Sequence, residues 1–249
     1  MLEIQAGLAG IPVDPDRRGC EAGPVEKLGL VEEMGRFRAA VVAWAAGGPA
    51  APAAAEAARR LAAEAGPRTV VLVEGVSDQV ALEALAARRG RNLDAERIPV
   101  VPLGGATSIG RFLVLLGPDG LDLRVAGLCD AGEEGYFRRS LERAGLGADL
   151  TRAGMESLGF YVCEADLEEE LIRALGAAGT EAVVDAQHDL RAFRTFQKQP
   201  AQRGRAVEQQ LRRFMGTLSG RKIHYGQALV DGLDLARVPR PLEQLLAHL

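Results

Sequence analysis

Cysteine is scarce: Cys20, Cys129 and Cys163 are the only three, and no Cys-x-x-Cys pair occurs. An odd, widely spaced set excludes a disulfide framework and a structural zinc site, so these read as reduced thiols, two of them on strands. Histidine is equally thin, and His188, His224 and His248 share no ligand spacing, which excludes a histidine-based metal site or triad. His224 stands two residues past Lys222, where it is either a substrate contact or, on the plainer reading, a surface histidine. Aromatics make up 4% of the chain, with Trp44 the single tryptophan. No stripe of rings for stacking single-stranded nucleic acid emerges, so any such binding leans on phosphates. Also missing is an apolar run of roughly 18 to 20 uncharged residues, the length needed to cross a bilayer. Met1-Leu-Glu-Ile lacks a basic region followed by an apolar one, and the expectation is a cytoplasmic protein with no membrane partner.

What is present is enough apolar material to bury a sizeable core, 47% of 249 residues. Residues 1 to about 33, with Gly10-Ile-Pro, Asp14-Pro-Asp and Gly23-Pro, show no sustained periodicity and read as a weakly structured arm. A helical segment opens at Met34, which is therefore a candidate internal translation start. Gly47 to Pro52 breaks that helix, and alanine-rich Ala53 to Ala65 forms another. Strands are predicted over 69–73, 97–103, 123–130 and 159–164, alternating with helices over 80–89, 109–116, 133–144 and 166–175. Strands alternating with helices imply a parallel sheet covered on both faces. Beyond Thr180 the pattern is helical. The division expected is an N-terminal arm and helical lead-in (1–66), an α/β core (67–178) and a C-terminal helical, basic extension packed on it (179–249).

The net charge of −4 hides an uneven distribution. Between Asp189 and Lys222 stand Arg191, Arg194, Lys198, Arg203, Arg205, Arg212, Arg213, Arg221 and Lys222, opposed only by Asp189 and Glu208. Such a stretch can neutralise phosphates, and it equally describes solvated helices whose arginines lie over the core.

The first strand runs Thr69-Val-Val-Leu-Val, delivers Glu74, turns through Gly75 and presents Asp78. Leu123 to Asp130 ends in an acid, as does Gly159 to Glu164. In an open α/β sheet ligands bind beyond the carboxyl ends of the strands, so these acids can converge without being close in sequence, and converging carboxylates favour a hard cation. Each also has a plain reading. Glu74 is an acid favoured by a helix dipole, Asp78 an N-cap, and Glu164 to Glu170 an acidic helix start. Gly104-Gly-Ala-Thr-Ser-Ile-Gly110, between a strand and a helix, is either a phosphate cradle or a tight connection.

Glu74-Gly-Val-Ser-Asp78, Asp130 and Asp166-Leu-Glu168, in this order at strand ends, resemble a TOPRIM domain, most nearly the TOPRIM half of OLD-type (overcoming lysogenization defect) nucleases. The resemblance covers about residues 68 to 230. It implies a Rossmann-like parallel sheet flanked by helices and a Mg²⁺- or Mn²⁺-dependent phosphodiesterase that nicks or cleaves DNA, RNA being the other substrate considered. It implies Glu74, Asp78, Asp130, Asp166 and Glu168 as metal ligands or their close supports. Lys222, in Arg221-Lys-Ile-His-Tyr225, matches the late lysine that stabilises charge at the phosphate, and Arg203, Arg205, Arg212, Arg213 and Arg221 are the expected nucleic-acid contacts. Glu74, Asp130 and Lys222 would be catalytic. Where the family has Asp-x-Asp this chain has Asp130-Ala-Gly132, and Glu133 is the nearest acid to take the second position. No Gly-x-x-x-x-Gly-Lys-Ser/Thr loop occurs, so an ATPase partner would act in trans; a homo-oligomer is the other assembly expected. Two rival functions are a non-catalytic metal- or nucleic-acid-binding module of a defence or repair complex, and a nucleotidyl transferase.

Overall fold

A computed structural model describes residues 24–217 and 219–249. The turns at Gly10 and Asp14, and Cys20, lie outside the described residues. The first helix, α1 (Pro24–Ala46), starts well before Met34, so residues 24–33 are helical rather than part of an arm. Met34, Phe37, Val41 and Ala45 recur at helical spacing and are buried. Helix α2 (Ala51–Ala65) carries Pro52 in its first turn and stops at Gly66, whose left-handed φ of 56° lets its N–H close on Ala62 O at 3.0 Å.

Four parallel strands follow: β1 (Thr69–Val73), β2 (Val100–Pro102), β3 (Arg124–Asp130) and β4 (Phe160–Cys163), in the order β2-β1-β3-β4. Strand β2 is shorter than predicted. Arg97 sits at a positive φ of 62°, and Pro99 and Pro102 bring no N–H to a ladder. As an edge strand β2 is covered by α1: Arg38 Nε donates to Val100 O at 2.7 Å, and its Nη2 reaches Asp94 at 2.7 Å.

Side chains alternate across the sheet with period two. Val70, Leu72, Val101, Cys129 and Phe160 face one core, closed by α1, α2, α4 (Ile109–Leu116) and α5 (Glu134–Arg143), with Phe37, Phe112 and Phe137 at its centre. Val71, Val73, Val100, Leu128 and Cys163 face the other, closed by α3 (Val76–Arg88), α7 (Leu167–Ala186), α10 (Ser219–Gly232) and α11 (Arg240–His248). A short helix, α6 (Arg152–Ser157), precedes β4, and α8 (Leu190–Gln197) and α9 (Val207–Met215) lie between α7 and α10. The chain is thus α/β, a parallel sheet with helices on both faces.

Two further boundaries differ from the sequence reading. Helix α3 begins at Val76 rather than Val80, because Gly75 takes the extended N-cap conformation and Asp78, at the third helical position, accepts its N–H. Helix α7 runs past Leu175 to Ala186, broken internally at Gly176 (φ 71°, ψ 168°), where Thr180 Oγ1 donates to the Gly176 carbonyl at 2.8 Å.

Candidate metal centre and nucleic-acid interface

After β2 the chain crosses back past β1 to lay down β3, so the strand order reverses between β1 and β3. The crevice beyond their carboxyl ends is the position where open α/β sheets bind ligands. Glu74 leaves β1 there and Asp130 ends β3 there.

Glu74 is half-buried, and its Oε2 is shielded from solvent with no hydrogen-bond partner. Its carbonyl accepts Gly105 N–H at 3.2 Å, which draws the glycine-rich loop against the same edge. Gly104 and Gly105 have φ of 69° and 124°, values that explain glycine in a tight connection. Asp78 is buried, and its Oδ2 accepts Gly75 N–H at 2.8 Å; it is therefore a capping-box acid rather than an N-cap. Burial, then the Glu168 and Glu74 charges, push its carboxyl up to about 7 against the opposing pull of Gly75 N–H and Lys222. Burial, then Glu74, Asp78, Asp166 and Glu168, push Asp130 up to about 8. Three residues on, Glu133 turns back, its N–H donating to Asp130 O at 2.9 Å, and its Oε2 is a second buried carboxylate oxygen without a partner.

Asp166 and Glu168 come from the start of α7. Asp166 caps that helix, its Oδ1 accepting Glu169 N–H at 2.8 Å, while Arg212 Nε donates to its Oδ2 at 2.7 Å. Both oxygens are thus engaged within the protein. Glu168 is buried and meets Lys222 Nζ at 3.3 Å; burial raises its carboxyl and Lys222 opposes the rise. Burial pulls the Lys222 ammonium down, and the Glu168 and Asp78 charges more than offset it, leaving it raised and charged. Lys222 reaches this edge because α10 lies close over the start of α3. At Gly226, one turn beyond the lysine, a Cβ would stand 2.7 Å from Ser77 O. The sequence reading passed over Gly226, although a glycine inside a helix and four residues from a site lysine is the kind of signal that marks a close approach.

The basic residues divide. Arg212 and Arg213 line a cavity of about 540 Å³ that also holds Asp166, Glu168 and Lys222. Arg205 lines an adjoining cavity of about 430 Å³ shared with Arg212 and Arg213. Arg221 packs 4.3 Å over the Phe214 ring and faces Asp189 at 3.4 Å, fastening α10 to α8 and α9. Arg203 is exposed before α9, and His224 is exposed with its Nε2 2.7 Å from Gln187 Oε1. Cys129 and Cys163 are buried free thiols, and burial raises both far above the usual thiol range, which makes them inert core residues.

Among the described residues no group of three Asp, Glu, His or Cys side chains is placed to hold a metal ion. Magnesium does not require one, since it binds through one or two carboxylates and completes its shell with water and phosphate oxygens. The donors fit such an ion: they are all oxygen, Glu74 and Glu133 each keep a buried oxygen without a partner, and the Glu74 charge acts on Asp130. Leaving a buried charged oxygen without a partner is costly, and a cation removes that cost.

Residues 68–131 match a family model described as the TOPRIM domain of overcoming lysogenization defect protein-like proteins. That match includes Glu74, Asp78 and Asp130 and ends before Glu133. No curated protein sequence matches the chain. Among solved structures, the C-terminal region of the Xanthomonas campestris pv. campestris OLD protein phased with platinum is 25% identical, covering 74% of this chain and 92% of that one, with a TM-score of 0.58. The mercury-phased form is 26% identical, covering 73% and 93%, with a TM-score of 0.55. The C-terminal region of the Burkholderia pseudomallei OLD protein shares the fold at 21% identity, covering 73% and 96%, with a TM-score of 0.56. The chain therefore contains an OLD-like TOPRIM domain, a nuclease-type metal-binding module, and over most of its length resembles the C-terminal regions of OLD proteins.

Proposed function

We propose that this chain is a divalent-metal-dependent phosphodiesterase that nicks or cleaves DNA at the β1/β3 edge. The observation that carries this reading is the buried, partnerless Oε2 of Glu74, whose charge helps raise Asp130 at the end of β3, with a second such oxygen on Glu133 three residues further along the chain. Glu74 and Asp130 would hold Mg²⁺ or Mn²⁺, its shell completed by water and phosphate oxygens, with Asp78 supporting Gly75 and the turn that carries Glu74. Such a cation, when bound, supplies Lewis-acid stabilisation of phosphoryl oxygens and a more acidic water. Lys222 presents a charged ammonium at the same edge, where it stabilises negative charge developing on the phosphate. Glu168 holds that ammonium in place, and Asp166 holds Arg212 at the neighbouring wall, so both acids act through their basic partners. Arg205, Arg212 and Arg213 neutralise flanking phosphates.

Conversion of supercoiled plasmid by the purified chain in EDTA, Mg²⁺ and Mn²⁺ tests this. Nicked or linear product should need the metal and vanish in Glu74→Ala and Asp130→Ala proteins of matched thermal midpoint. The Asp130-Ala-Gly132 sequence, without a second aspartate, favours a second reading, a non-catalytic module that binds metal and nucleic acid. Metal binding and DNA binding with no product in any metal would select it.

A further inference from the structure

The 540 Å³ cavity beside Lys222 has a wall that the phosphate chemistry does not use. One side carries Arg212, Arg213 and Lys222; another is the ring of Phe196, on α8. Phe196 is half-buried, tilted against Phe214 with ring centroids 5.6 Å apart, and lines both this cavity and a separate one of about 680 Å³ shared with Phe214 and Arg221. Arg212 and Lys222 are held by Asp166 and Glu168, whereas Arg213 is exposed with no carboxylate partner among the described residues. Cations for phosphate on one wall and an aromatic face on another, in a cavity of small-molecule size, are the two halves of a nucleotide site. In a duplex the base faces are stacked inside the helix and cannot meet a ring on the enzyme; a base reaches such a ring only when its nucleotide is unpaired.

Building on the nuclease reading, we infer that this cavity holds one unpaired nucleotide of the substrate strand next to the scissile phosphate, its base on Phe196 and its phosphate on Arg213. The site then prefers single-stranded or locally unpaired DNA to continuous duplex. Phe196 is a specificity-determining residue.

Fluorescence anisotropy of the full chain with a labelled 20-nucleotide single strand, and with the same strand in duplex, tests this in Ca²⁺, read as the ratio of the two dissociation constants. The single strand should bind about tenfold more tightly, in line with the strength of one base–aromatic stack. Phe196→Leu keeps the apolar packing on Phe214 and should bring the ratio towards one, Phe196→Tyr should keep it, and Arg213→Gln should weaken binding to both forms and flatten the salt dependence by about one phosphate contact. Equal affinities in the parent chain, or an unaltered ratio in Phe196→Leu, would overturn the inference. Plasmid nicking with equal affinities leaves the nuclease reading standing and removes this one. A Phe196-dependent preference without nicking under any metal does the reverse.

Discussion

At the scale of single residues the candidate site is a set of carboxylates held where their charge is unfavourable. Asp130, raised from its ordinary 3.8 to about 8, keeps a proton in the native chain that the unfolded chain has released. In EDTA its contribution to stability therefore falls as pH rises from about 4 to about 8, because the unfolded state binds fewer protons over that window. Asp78, raised to about 7, adds in the same direction. Asp130→Asn removes the effect: in EDTA at pH 8 the variant should be more stable than the parent, by about 1–2 kcal/mol after allowing for solvent screening, and the two should converge at pH 4. Urea unfolding at both pH values checks this, and a variant less stable at pH 8 contradicts it. Glu74, Asp78 and Asp130 were legible as candidate site residues because each stands at or just beyond a strand end. The engagement of Asp166 was not, since its partner Arg212 lies 46 residues away and only the packing of α9 on α7 brings them together.

At the scale of elements, two contacts position the chemistry. Helix α10 brings Lys222 to Glu168 only because Gly226 lets it approach the first turn of α3. Gly226→Ala should destabilise the fold by about 1–3 kcal/mol through overpacking against the Ser77 carbonyl and cut metal-dependent nicking more than the stability loss explains, by shifting the lysine. Gly220→Ala, in the same helix with open space at its Cβ, should be neutral or stabilise by up to about 1 kcal/mol. Denaturation and nicking rates for the two variants separate positioning from helix propensity; equal effects would contradict the account. The strands and the helices between them were readable from alternating apolar runs and from Gly and Pro breakers. The early start of α3 was not, because Glu74-Gly-Val-Ser-Asp78 reads as a loop until Gly75 is seen to be the N-cap. The long α7 was missed for the opposite reason, since Gly176 reads as a stop although the chain resumes its helix beyond it.

At the scale of the whole molecule, both flanking helical segments share their cores with the sheet. Helices α1 and α2 close one face, and Arg38 caps the edge of β2. A chain shortened to begin at Met34 keeps Phe37, Arg38 and Val41 and should melt within a few degrees of the parent; one beginning at Thr69 exposes Val70, Leu72 and Phe112 and should not refold to a soluble, cooperatively melting monomer. Circular dichroism melts of the two decide it. The sheet then presents one edge at which its strand order reverses, and the account rests on that edge holding a divalent cation. Calorimetric titration of Mn²⁺ into the parent chain and into Asp130→Asn at pH 7.5, each in two buffers of different ionisation enthalpy, tests this most directly. The account predicts saturable binding to the parent with release of the proton that Asp130 retains, and loss of both in the variant. No binding to the parent, or binding of equal strength and proton release in both chains, would contradict it.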